Sequence, residues 1–188
     1  MPTHVALLRG INVGGRNKVA MADLRRIVES LGYGDVATYL QSGNVVFTSN
    51  DNDTAAMTTE LERALEETLG VRNSVVVLSR AELAKVIADN PFPDETNPKH
   101  LHAVFRGGEV GAAEAAAVAA AERRAREKGS RDQAKVVGRT LYLRTPDGFG
   151  RSELAAQLAR ANPAAAADRG GTARNWATVT KLAAMLDA

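Results

Sequence analysis

The chain of 188 residues contains no cysteine. Disulfides, thiolate metal sites and cysteine nucleophiles are therefore excluded at once. Aromatic residues make up only 4% of the sequence. Tyr39, Phe47, Tyr142 and Phe149 fall in or near strands, but they do not form the pattern of exposed rings on which RNA-binding sheets stack bases. No apolar run approaches the ~20 residues of a membrane-spanning helix. Met1-Pro2-Thr3-His4 lacks the basic and apolar regions of a secretory signal. The expectation is a cytoplasmic protein that does not engage a membrane. Charge of one sign is not in excess either, with 24 Lys and Arg against 22 Asp and Glu. Histidine is scarce: His4 opens a strand, and His100 and His102 alternate within another. A metal would need a further ligand such as Asp94 or Glu95, and nothing in the spacing fixes one. Neither a metal nor a cofactor is expected.

The residues that are present describe an ordinary core, with 45% hydrophobic side chains. Val5-Ala6-Leu7-Leu8 suits a buried central strand. Met21, Leu24, Ile27, Val28 and Leu31 recur at helical spacing before Gly32. Residues 35–41 and 44–49 read as strands around a Ser42-Gly43 hairpin. Met57, Leu61, Leu65 and Leu69 mark a helix stopped at Gly70, and 74–78 is a valine-rich strand. The order β-α-β-β-α-β is the split pattern of a ferredoxin-like unit. Ser79-Arg80-Ala81-Glu82 is a capping box opening a third helix, followed by a proline-rich linker at 91–99. The pattern then restarts: Leu101 to Gly107 aligns with His4 to Gly10 at an offset of 97, and the Gly138-Arg139 turn lies 95 residues after Gly43-Asn44. The expected fold is α+β: two ferredoxin-like halves at 1–79 and 100–188, related by internal duplication and joined through 80–99, with an additional C-terminal helix. That helix is expected from Ala173 to Leu186, capped by Thr172, in place of a last strand.

Charge is distributed unevenly. Residues 51–67 are acidic, and 123–144 carry eight cations against Glu127 and Asp132. An anionic partner or a solvated face accounts for this equally well. A sharper signal is the loop after the first strand, Arg9-Gly10-Ile11-Asn12-Val13-Gly14-Gly15-Arg16-Asn17-Lys18. It is longer and richer in glycine than an ordinary connection, and such loops aim backbone N–H groups at anions. In a split unit the first two strands run the same way. The loop should therefore meet the hairpin, bringing Arg9, Asn12, Gly14, Gly15, Arg16, Asn17 and Lys18 beside Gln41, Ser42 and Asn44. Gly10 and Gly15 have P-loop spacing, but Arg16 and Asn17 stand where lysine and a hydroxyl are required. Ser42 lacks a nucleophile elbow and an identifiable histidine partner. In the last helix, Arg174, Thr178 and Lys181 fall on one face. Arg174 and Lys181, with Asn175, are candidates for a second anion-binding element.

Leu7-Leu8-Arg9-Gly10-Ile11-Asn12-Val13-Gly14-Gly15, then Tyr39-Leu40-Gln41-Ser42-Gly43-Asn44-Val45-Val46-Phe47, then Ala173-Arg174-Asn175-Trp176 with Thr178-Val179 and Lys181-Leu182 form a distinctive trio. Together they resemble the bacterial family known as domain of unknown function 1697. The resemblance implies a duplicated α+β fold and no reaction. Three readings stay open. The first is a binding module for a phosphate-bearing ligand, either nucleic acid or a nucleotide-like metabolite. The second is an enzyme acting on a small anionic substrate. The third is an interaction protein whose valine-rich edge is covered by the other half or by a second copy.

Overall fold

The computed structural model describes residues 1–15, 17–161 and 171–188. The chain is mixed α+β, with two four-stranded antiparallel sheets and, among the described residues, six α-helices. It divides into two compact units, Met1–Lys85 with Thr180–Ala188, and Val86–Val179.

The first unit runs β1 (His4–Leu8), α1 (Met21–Ser30), β2 (Gly34–Tyr39), β3 (Asn44–Thr48), α2 (Thr54–Leu69), β4 (Val75–Ser79). Its strands lie in the order β2-β3-β1-β4. β1 pairs antiparallel with both β3 and β4, and β3 antiparallel with β2, so β1 and β2 point the same way. Alternate strand residues Ala6, Leu8, Val45, Phe47, Val75 and Val77 form one core with Leu24, Ile27 and Val28 of α1 and Met57, Leu61 and Leu65 of α2. The intervening Val5, Leu7, Val46, Val76 and Leu78 are buried as well. That accounts for the unbroken apolar runs: a strand covered on both faces has no polar alternation. β4 is an edge strand, yet Val75 to Leu78 are buried within the single chain.

Local signals set the boundaries. The Asp53 carboxylate accepts from the amides of Ala55 and Ala56 and caps α2, and Gly70 ends that helix in the left-handed region. The capping box is formed: Glu82 Oε2 accepts from Ser79 N at 2.7 Å, and Ser79 Oγ accepts from Glu82 N at 3.2 Å. It opens α3 (Arg80–Ala88).

The second unit contains β5 (Leu101–Phe105), α4 (Ala112–Glu127), β6 (Gln133–Val137), β7 (Thr140–Arg144), α5 (Glu153–Ala161) and β8 (Thr172–Asn175). α6 (Trp176–Leu186) follows, crossing the division between the units at residue 180. The strand order is β6-β7-β5-β8, the same arrangement as in the first sheet. Small side chains Ala121 and Ala125 of α4 lie in a core with Val104, Ala134, Leu141, Leu143 and Leu154. Ahead of β5, the proline-rich segment is held by a half-buried clasp. Glu95 accepts from Arg144 Nε at 2.8 Å and from Asn97 N at 3.0 Å, while the Arg144 Nη1 donates to Gln133. His100, which precedes β5 rather than lying in it, faces Glu95 at 3.6 Å.

Residues 172–175 are not the first turn of the last helix but a strand, in register with β5 from Phe105↔Thr172 to His102↔Asn175. The reason lies in alternation: Thr172 and Arg174 are buried and Ala173 is exposed, a period of two that a four-residue strand barely displays. Gly171 makes the pairing possible. It has φ +65°, and a Cβ there would lie 2.4 Å from the Phe105 carbonyl oxygen. Thr172 is accordingly no cap. The helix starts four residues later, and Asn175 caps it, its Oδ1 accepting from Thr178 N at 2.9 Å.

Candidate functional site

Because β1 and β2 are parallel in direction, the loop after β1 and the hairpin at 40–43 leave the same end of the first sheet. They are bound to each other there. Leu8 N donates to Gly43 O at 2.8 Å, and the side chain of Asn12 joins both loops. Its Nδ2 donates to Gln41 O at 2.8 Å and to Val19 O at 2.9 Å, and its Oδ1 accepts from Val19 N at 2.9 Å. Its backbone N–H closes onto Asn17 O at 3.1 Å. Gly43 completes the junction by having no side chain: a Cβ would lie 2.6 Å from Ile11 Cδ1 and 2.8 Å from Leu8 Cβ. Asn73 holds the carbonyl of Arg9, and Arg9 N donates to Ser74 O at 2.9 Å.

These bonds divide the candidate residues in two. Asn12 is part of the frame. So is Asn44, fully buried, with Nδ2 donating to Tyr39 O at 2.7 Å and Ser42 Oγ at 3.0 Å. Asn17 also braces the loop, donating to Gly10 O at 3.2 Å. Arg9 is half-buried. The outer rim consists of Gly14, Gly15, Lys18, Gln41 and Ser42, all exposed. Arg16 lies outside the described residues. Two exposed aliphatic residues join the rim that sequence reasoning passed over, Val13 and Leu40. Leu40 has φ +59°, a left-handed conformation that costs a branched side chain energy and is normally left to glycine or asparagine. Its place directly before Gln41-Ser42-Gly43 was the available signal.

Positive φ values concentrate here. Of fourteen among the described residues, Gly10, Asn12, Gly14, Gly15, Asn17, Leu40 and Gly43 belong to these two loops. Uncommon backbone conformations persist where the surroundings over-determine them, and they cluster at binding sites. The titratable groups of this unit whose pKa is displaced lie at the other end of the sheet. Burial lowers His4; burial, then Glu60, raises Tyr33; the Thr48 hydroxyl lowers Asp35. The loop end thus offers hydrogen bonds and charge.

The C-terminal candidates do not share a helical face. Arg174 lies on β8, buried, its Nη1 donating to Thr172 Oγ1 at 2.6 Å and Ala173 O at 2.9 Å. Burial pulls its pKa down to about 10. Thr178 is buried, Asn175 is a helix cap, and only Lys181 is exposed. The basic stretch 123–144 is half neutralised. Four of its eight cations are in ion pairs: Arg126 with Glu122, Lys128 with Glu153, Arg131 with Asp147 and Arg144 with Glu95. Among the described residues no group of histidine and carboxylate side chains could hold a metal ion, and no helix is long and apolar enough to cross a membrane.

Two four-stranded α+β units, the first carrying a clamped pair of polar loops, define the class of protein. The chain belongs to the family described as "Protein of unknown function (DUF1697)", whose model matches residues 1–142. That span contains both loops and stops before β8. The fold is similar to that of the conserved bacterial protein SP0830 from Streptococcus pneumoniae, with TM-score 0.67, 23% sequence identity and 98% of each chain covered. No curated protein matches the chain significantly.

Proposed function

We propose that the chain is a duplicated pair of ferredoxin-like units whose first unit binds a phosphate-bearing ligand at the clamped loop end. The observation that carries this reading is the division of labour around Asn12. One set of side chains, with Ser42 Oγ bonded to Asn44 among them, locks the two loops together, and Gly14, Gly15 and the side chains of Lys18 and Gln41 stand exposed around the lock. Lys18 is exposed and forms no ion pair among the described residues. It supplies charge beside the amides of Gly14 and Gly15, while Gln41 and Ser42 supply hydrogen bonds. Both units following the same β-α-β-β-α-β course and strand order supports duplication.

The ligand would not lie on a sheet face. Phe47 and Tyr142, on β3 and β7, are buried and have no face free to stack a base. The test is fluorescence anisotropy of labelled single-stranded RNA of random sequence, titrated with protein at low and physiological salt, for the wild type and Lys18→Ala. Binding that weakens with salt, and a shallower salt slope in Lys18→Ala, are expected. Equal binding by both proteins would remove Lys18 from the site.

A further inference from the structure

We propose that the uncharged part of this ligand is a nucleobase, held against Val13 and Leu40 and read at its edge by the Gln41 amide. This rests on the reading that the loop end binds phosphate. Asn12 fixes the geometry. Val13 follows it in sequence, and Leu40 precedes Gln41, whose carbonyl lies 2.8 Å from Asn12 Nδ2. Lys18 sits between Asn17 and Val19, both hydrogen-bonded to Asn12. One cation, one primary amide and two aliphatic side chains therefore stand around a single asparagine.

The aliphatic pair is unusual for this surface. Large hydrophobic side chains exposed among the described residues are Met1, Val13, Leu40, Val137 and Phe149. Two of the four beyond Met1 flank the same lock, Val13 at 64% and Leu40 at 54% exposure. Leu40 is also held where asparagine would sit without strain. A purely ionic ligand such as inorganic phosphate has no use for them. An acyl chain would use them but has nothing to pair with Gln41, whose side chain makes no hydrogen bond among the described residues. A base has an apolar face and an edge of adjacent donors and acceptors, which a primary amide matches in two directions.

The discriminating ligands are ribose 5-phosphate and the four ribonucleoside 5′-monophosphates, measured by calorimetry on the full chain, with a single-stranded hexaribonucleotide alongside. At least one monophosphate or the hexanucleotide should bind about ten-fold more tightly than ribose 5-phosphate. Which of the two binds more tightly identifies the source, free nucleotide or nucleic acid. Leu40→Asn should lose that advantage and retain ribose 5-phosphate binding. Its thermal midpoint should be equal or higher, because asparagine accepts the left-handed backbone, so lost binding is not lost folding. Ribose 5-phosphate binding as tightly as every base-bearing ligand would overturn this inference while leaving the phosphate reading intact. Absence of binding by all of them would overturn both.

Discussion

At Gly43 two independent constraints meet. The residue has φ +78°, and any Cβ would enter the space of Ile11 and Leu8. Gly43→Ala should cost roughly 2–4 kcal/mol, combining left-handed strain with overpacking, which urea unfolding would register directly. Asn12 is the polar counterpart. Asn12→Ala strips Val19 N–H and the Gln41 carbonyl of their partner, and should cost about 1–3 kcal/mol. Hydrogen exchange in that variant should speed up at 12–19 and 40–43 before it does in β1. A third residue concerns pH. His102 stacks on Phe149 with ring centroids 4.3 Å apart, and burial lowers its pKa to about 4. Between pH 6.5 and 4 the unfolded chain binds a proton that the folded chain refuses. The contribution is therefore whole above pH 6.5 and shrinks as pH falls, by about 1 kcal/mol at pH 5 once solvent screening of the partly exposed ring is allowed for. Urea unfolding of His102→Gln should show a correspondingly flatter loss between pH 7 and pH 5; parallel curves would contradict this assignment.

At the scale of elements, what could be read from sequence depended on length and on period. The α2 stripe, Met57-Leu61-Leu65, spans two turns, and its stop at Gly70 is where the helix ends. The capping box at Ser79 needed only four residues, because both of its hydrogen bonds are local. β8 failed for the opposite reason. Four residues give one alternation, and the pairing that makes them a strand comes from β5, about 70 residues earlier. With Thr172 moved into the strand, helix capping passes to Asn175. Asn175→Ala should lower stability by about 1 kcal/mol, and Asn175→Asp should preserve it, as thermal unfolding followed by circular dichroism would show. The same shift puts Arg174 on a strand and dissolves the basic helical face that the sequence suggested.

Across the molecule, the convergence of the two loops was legible in advance because it follows from strand direction alone. Which loop residues are scaffold was not. Asn12, Asn44 and Lys18 look equally polar in sequence, and only the hydrogen bonds of the folded loops separate the first two from the third. Charge was misleading in the same way. Half of the basic run at 123–144 meets carboxylates from α4, α5 and the loops, whereas Lys18 forms no ion pair among the described residues.

The central claim is that the clamped loop end of the first unit is an anion site. The most direct measurement is a titration of the 15N-labelled full chain with inorganic phosphate, followed through its amide resonances. Saturable shifts confined to Gly14, Gly15, Lys18, Gln41 and Ser42, with the core strands unmoved, are the predicted result. Unchanged resonances at these five residues under saturating phosphate would contradict the account.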